Sequence, residues 1–325
     1  MLRIIFCLFM ISVQAHASNK VIYGQDNRNE VYNYTNQSIV ELSKSTVALV
    51  KKNEMSWDGT YYRIPLKSYG SALQLCSNEK FYEQPTAAFC SGFLIAPNKI
   101  VTAGHCITSK KDCDNTVFIF NYRLVDKTNF YSGFKNIYTC KRVLGQQLQK
   151  GGVDFAVIEL DEDVEGIAPL KLAQSMDNLS ANDSVFTIGH PAGLPTKITD
   201  NAKVRSVNRN DGFFVTTLDT FGGNSGSPVF NAKTQEVEGI LVRGDTDYVV
   251  AGSCRRENRI NESAGRGETA VAISHIHEGG LFGDGSKIAD DENFRYIWFS
   301  RFQTCNEFQG VRFTREVEES YCPVE

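Results

Sequence analysis

Long runs of lysine or arginine are missing from this chain, and its formal net charge is −4. A protein that neutralises nucleic-acid phosphates needs a basic surface, so nucleic acid is excluded as a partner. No C-x-x-C pair occurs among the nine cysteines, which removes the usual spacing of a zinc site. Repeats and low-complexity linkers are absent, and amphipathic helical periodicity is confined to residues 291–302. Past the first twenty residues no apolar stretch is long enough to span a bilayer.

What is there begins with "MLRIIFCLFMISVQAHAS". Arg3 supplies a positive end, an apolar stretch of roughly ten residues follows, and Ala15-His16-Ala17 fits the small-x-small cleavage rule. The expectation is a signal peptide over 1–17, a mature start at Ser18, and an exported, soluble protein, secreted or periplasmic, with no membrane contact once the signal is removed. Cys7 leaves with the signal, and Cys76, Cys90, Cys106, Cys113, Cys140, Cys254, Cys305 and Cys322 remain. An even set in an oxidising compartment reads as disulfides.

Short β-branched or aromatic runs recur with turn residues between them, among them "STVALV", "FLIAPNKIVTA", "VFIFNY", "FAVIEL", "VFTIG", "GFFVTTL", "VEGILV" and "TAVAIS". That pattern predicts an all-β barrel or sandwich and not alternating strands and helices. Residues 76–90 and 245–267 are polar and read as long surface loops.

Three segments carry chemistry. In "CSGFLIAPNKIVTAGHC" a strand, a Pro-Asn turn and a second strand deliver His105 between Cys90 and Cys106, whose positions at the two ends of a hairpin allow one bridge to close it. In "GGVDFAVIEL" Asp154 leads into a buried strand, where a carboxylate is costly unless hydrogen-bonded. In "LDTFGGNSGSPVF", residues 218–230, glycines crowd around Ser225. A serine hydroxyl needs an adjacent base to become a nucleophile and amide donors for the charge that develops on the attacked carbonyl. Gly222 and Gly223 let the amides of Gly223 and Ser225 converge, and Gly226 leaves room beside the serine.

His105 in "TAGHC", Asp154 in "DFAVIEL" and Ser225 in "GNSGSP", in that chain order, resemble the chymotrypsin-fold serine proteases, in particular the bacterial secreted branch that includes the glutamyl endopeptidases. The resemblance covers about residues 21–280 and implies two packed six-stranded antiparallel β-barrels, with a short C-terminal helix read separately from 291–302. It implies His105 as general base, Asp154 as its orienting partner, Ser225 as nucleophile and the N–H groups of Gly223 and Ser225 as the oxyanion hole. It also implies the bridge Cys90–Cys106; the other pairings stay open. Asn224 stands where most animal members carry an aspartate, and Val242-Arg243-Gly244 replaces the family's Ser-Trp-Gly wall.

The domain plan that follows is a signal over 1–17, a short propeptide over 18–20, a barrel over 21–165 with His105 and Asp154, a barrel over 166–290 with Ser225, and a helix and tail over 291–325. Asp219, six residues before the nucleophile, takes the place of the family's pocket acid and implies cleavage after Lys or Arg. Gly244 keeps the pocket entrance open, and Arg243 is the residue that could neutralise Asp219. Leu241 occupies the place of the histidine that the glutamyl enzymes carry. "VIYGQDNR" is similar to the mature start of those enzymes, and Lys20-Val21 is a candidate processing bond. The expected partners are protein or peptide substrates, the expected state is a monomer, and no cofactor or metal is implied. An inactive homologue acting as a binding protein is the alternative from another class. An α/β-hydrolase elbow fails because Ser227 fills its second glycine position.

Overall fold

The computed structural model describes residues 21–274, apart from positions 66, 128, 130–132, 135–136 and 150. The expected signal peptide, the short propeptide, the C-terminal helix and the cysteines of the tail lie outside the described residues.

Twelve strands build two barrels. In the first, β1 (Thr46–Lys51), β2 (Cys90–Ala96), β3 (Lys99–Thr102), β4 (Thr116–Phe120), β5 (Tyr138–Leu148) and β6 (Asp154–Leu160) close in the order β5-β6-β3-β2-β1-β4. The second comprises β7 (Ser184–Gly189), β8 (Lys197–Asn208), β9 (Phe213–Thr216), β10 (Pro228–Asn231), β11 (Val237–Arg243) and β12 (Glu268–Ala272). It runs β7-β10-β11-β12-β9-β8 and closes through β7–β8. Both rings are six-stranded and every pairing within them is antiparallel. The predicted all-β architecture of two such barrels is therefore observed. Closure removes the free sheet edges that would otherwise template aggregation.

The strands form where the sequence concentrates β-branched and aromatic residues, which suit a pleated, packed surface. In β6 all seven residues are buried, because the strand lies between β5 and β3. One apolar cluster runs from Val47, Phe93 and Ile158 of the first barrel to Ile188, Phe230, Ile240 and Val271 of the second. Phe186 and Phe230 face each other across β7 and β10 with ring centroids 4.7 Å apart, a cross-strand aromatic pair. This shared core fixes the barrels against one another, so groups carried by different barrels can meet with defined geometry.

Two features depart from sequence order. Residues 22–30 precede the first barrel in the chain yet dock on the second. Arg28–Glu30 pairs antiparallel with β8, and Ile22–Tyr23 pairs in parallel with Arg259–Ile260. The polar stretch 245–267 is also not a plain loop. Tyr248–Ala251 and Cys254–Glu257 form a two-stranded ribbon, and Cys254 is bridged to Cys76 beyond a short helix, Tyr69–Leu73.

Charge is buried where these segments meet. Arg28 is fully buried and pairs with Asp26 and Glu257, each at 2.7 Å, and lies over the Phe221 ring. Lys197, equally buried, pairs with Glu30 at 3.2 Å, and its burial lowers its pKa to about 8. A desolvated ion pair is tolerated only when partners surround it. Breaking one of these pairs is therefore far costlier than losing an exposed one.

Candidate active site

His105 sits on a one-turn helix, Gly104–Cys106, that leaves the end of β3. The residue before it has to be glycine. A Cβ on Gly104 would overlap the carbonyl of Gln147 and crowd that of Phe155, so the turn packs backbone to backbone on β5 and β6. Gln146 also donates to the Gly104 carbonyl at 2.8 Å. Asp154 opens β6 and is 5% exposed. One of its carboxylate oxygens accepts the backbone N–H of His105 at 3.0 Å and the other faces Nδ1 at 2.8 Å. The first contact sets the turn and the second favours the tautomer with its proton on Nδ1, leaving Nε2 to accept one.

Ser225 comes from the second barrel, in the turn between β9 and β10. Gly226 has φ +89° and a Cβ there would overlap the Ser91 carbonyl. Gly223 has φ +97° and its Cβ would crowd the His190 carbonyl. Left-handed backbone in such tight space accepts only glycine. The turn is held from the first barrel by Ser91, just after Cys90. Ser91 N–H donates to the Ser225 carbonyl at 2.8 Å, and Ser91 Oγ donates to the Gly223 carbonyl at 2.8 Å. The same Oγ accepts from His190 N–H at 3.0 Å. The sequence reading missed Ser91; the only signal for it was a small polar residue beside a cysteine.

His105, Ser225, Gly222, Gly223 and the Cys90–Cys106 bridge line one cleft of about 550 Å³. Leu73, Tyr248 and Asp247 form another part of its wall, and Asp247 accepts the Gly222 N–H at 3.0 Å. The cleft's wall thus includes the helix and the ribbon that the Cys76–Cys254 bridge ties together. Cys113–Cys140 is the third bridge among the described residues. Cys90, His105 and Cys106 cluster closely enough to resemble a metal site, but both sulfurs are spent in the bridge, and a disulfide offers no thiolate.

Below the Ser225 turn lies His190, fully buried and stacked on Tyr122 with centroids 5.5 Å apart. Its Nδ1 is 3.0 Å from the Leu194 carbonyl, and burial pulls its pKa down to about 3. It is a neutral structural imidazole that supports the loop 189–195 and does not line the cleft.

Asp219 does not present an open carboxylate to the cleft. Its two oxygens accept the backbone N–H groups of Tyr23 at 2.7 Å and Asn27 at 2.8 Å, so it clasps the docked N-terminal segment. Burial pushes its pKa up to about 7, while those two amides pull the other way. Arg243 does not neutralise it: its Nη2 donates to the Gly152 carbonyl at 2.7 Å, close enough to Asp154 to feel that charge. Gly244 follows the last residue of β11, and a Cβ there would overlap the carboxylate of Glu268. Asn224 is buried, with its N–H donating to the Phe221 carbonyl at 2.9 Å.

The chain is similar to several known proteins. The trypsin-like peptidase domain family matches residues 90–240, a span that contains His105, Asp154 and Ser225. A curated trypsin of Saccharopolyspora erythraea is 33% identical over 100 residues, which is 31% of this chain and 42% of that protein; the chain thus spans less than half of that relative. Among solved structures, the VesB protease of Vibrio cholerae aligns over 79% of this chain and 66% of its own, with 16% identity and a TM-score of 0.47. A Glu endopeptidase aligns over 79% of this chain and 95% of its own, with 17% identity and a TM-score of 0.45. The stretch that matches the trypsin-like peptidase domain, residues 90–240, runs from the second strand of the first closed barrel into the second.

Proposed function

We propose that the protein is a serine endopeptidase that hydrolyses peptide bonds through an acyl-enzyme on Ser225. The observation that carries this reading is the doubly bonded His105–Asp154 pair sharing one cleft with Ser225 and the Gly222-Gly223 turn. Ser225 Oγ attacks the substrate carbonyl carbon while His105 Nε2 takes the hydroxyl proton. The carbonyl oxygen gains the electron pair, and the N–H groups of Gly223 and Ser225 are the donors assigned to that charge. His105 then passes the proton to the departing amine, and the peptide C–N bond breaks. Water, deprotonated by the same imidazole, attacks the ester and releases the acid. Asp154 stabilises the imidazolium without taking its proton.

Secretion belongs to the same reading, supported by three disulfides among the described residues, which persist in oxidising compartments. Cleavage after Lys or Arg is the proposed preference. Leu241 supports it by default, since an aliphatic side chain cannot donate to a substrate carboxylate. The test is incubation of the purified protein and of Ser225→Ala with a mixed peptide library. Cleavage by the first and not the second supports the assignment. Equal cleavage by both, or none by the folded wild-type protein, refutes it.

A further inference from the structure

The Gly222-Gly223 peptide beside the nucleophile carries no side chain on either flank, so something else must hold its orientation. We propose that Thr86 and Ala192 are positioning residues for the reaction: they anchor the Gly222 carbonyl and thereby aim the Gly223 N–H at the substrate oxygen that becomes negative. This rests on the serine endopeptidase reading and adds to it the device that keeps the donor turned toward the cleft.

Turning the plane of one peptide changes ψ of the residue before it and φ of the residue after it. With glycine at both places no Cβ opposes that rotation, so the orientation comes from contacts. Three are in place. First, Ala192 N–H donates to the Gly222 carbonyl at 2.6 Å. The peptide is trans, so the Gly223 N–H points the opposite way. The N–H groups of Gly222, Asn224, Gly226 and Ser227 all have protein acceptors. That of Gly223 has none among the described residues, and Gly223 lines the cleft. Second, Ala192 is itself held in place. Its φ of +53° puts a residue with a Cβ in the left-handed region, a conformation that persists only when neighbours enforce it. The hydroxyl of Thr86 donates to the Ala192 carbonyl, and the N–H groups of Ala87 and Ala88 donate to the Gly193 carbonyl at 2.9 and 3.3 Å. Third, Asp247 accepts the Gly222 N–H at 3.0 Å, which fixes the preceding peptide and leaves only the Gly222-Gly223 plane to turn.

The contacts cross from one barrel to the other. Thr86 lies in the segment that leads into β2, Ala192 in the loop between β7 and β8, and the peptide they orient in the turn between β9 and β10. In the anchored orientation the donor faces the cleft and the carbonyl faces protein. In the reversed orientation the Gly222 carbonyl oxygen takes the donor's place, and a developing negative oxygen meets a dipole of the wrong sign. Ground-state binding through substrate side chains does not distinguish the two orientations; the transition state does. Losing the anchor therefore lowers kcat and spares KM.

The test uses the full-length protein with Thr86→Val, which keeps the shape and removes the hydroxyl, and Thr86→Ser, which keeps the hydroxyl. The first readout is kcat and KM on a peptide that the wild-type protein cleaves. The second is affinity for two ligands built on that peptide, its aldehyde and its alcohol. Ser225 Oγ adds to the aldehyde carbon, the hydroxyl proton passes to His105, and the aldehyde oxygen takes the electron pair; the alcohol has no carbonyl to attack. Thr86→Val should lower kcat and aldehyde affinity about tenfold each, with KM and alcohol affinity within about twofold. Thr86→Ser should restore both. Equal weakening of aldehyde and alcohol, or an unchanged kcat in folded Thr86→Val, overturns the proposal. A crystal structure of Thr86→Val gives a readout independent of turnover: the Gly222 carbonyl should leave Ala192 and turn toward the cleft, and an unmoved peptide overturns the proposal. Should Thr86→Val not fold, Asp247→Ala is compared with Asp247→Asn, which keeps an acceptor for the Gly222 N–H. The alanine variant should weaken the aldehyde about tenfold more than the asparagine variant, and equal effects overturn the proposal. A wild-type protein that cleaves nothing, with the carbonyl still released in crystals of Thr86→Val, refutes the protease reading alone.

Discussion

Asp154 grips His105 at two points, the backbone N–H at 3.0 Å and the ring Nδ1 at 2.8 Å. The pairing crosses two strand ends of one barrel, and Ser225 arrives from the other. Each half alone is an ordinary buried polar contact. Brought to one cleft by a continuous apolar core, they are the base and the nucleophile of the proposed reaction, with positions set by packing and not by flexible loops.

Ser225→Ala and His105→Ala should each reduce kcat by about four orders of magnitude or more, and the double variant by little beyond either, since such residues act as a unit. Asp154→Asn should lose a comparable amount by presenting the wrong tautomer. Steady-state kinetics with matched circular dichroism spectra checks both. Additive losses in the double variant would break the triad assignment.

Ser91→Ala should be far more harmful than a surface serine change. Its hydroxyl serves Gly223 and His190 together, and removing it leaves buried groups unpaired at about 1–3 kcal/mol. Thermal unfolding and kcat should fall together, whereas a purely structural role would lower stability and spare turnover in the folded fraction.

Acid stability divides between two buried groups with opposite signs. His190 is lowered to about 3 by burial, so the unfolded chain binds its proton first. Its contribution is full above about pH 6.5 and is lost as pH falls toward 3, at about 1.4 kcal/mol per pH unit. Asp219 is raised to about 7; its contribution is full below about pH 4 and is lost as pH rises to 7. The slopes oppose one another between about pH 4 and 6.5. His190→Gln should therefore unmask a stability that declines as pH rises from 4 to 7. Asp219→Asn should unmask one that declines as pH drops. Denaturant titrations across that range measure both, and parallel curves for the two variants would contradict the assignment.

Much of this could be read from the sequence, and the reason is local. The triad segments carry their own chemical signals: a histidine between cysteines, an aspartate before an apolar strand, a serine among glycines. The strands followed from β-branched runs with turns between them, and the Pro97-Asn98 turn joins β2 and β3 as its residues imply. What was not legible depends on distant partners. Asp219 looks like a pocket acid by spacing, but its carboxylate is satisfied by amides 196 and 192 residues away. Arg28 and Lys197 look like surface charges and are fully buried. Glu268 falls between the run 245–267 read as a loop and the strand-like "TAVAIS", and only the fold shows its carboxylate filling the space beside Gly244.

The Cys76–Cys254 bridge links the helix bearing Leu73 to the ribbon bearing Tyr248, both at the cleft. Replacing both cysteines with serine should cost about 2–4 kcal/mol of stability. The same change should raise KM more than it lowers kcat, because the wall loosens while the triad is untouched. A kcat loss with constant KM would place the bridge's influence elsewhere.

The most direct measurement is labelling with a fluorophosphonate, which forms a covalent phosphonyl ester only with an activated serine, followed by peptide mapping. The account predicts one adduct, on Ser225, abolished in Ser225→Ala and strongly slowed in His105→Ala. A folded protein that takes up no label, or that is labelled on another serine, contradicts it.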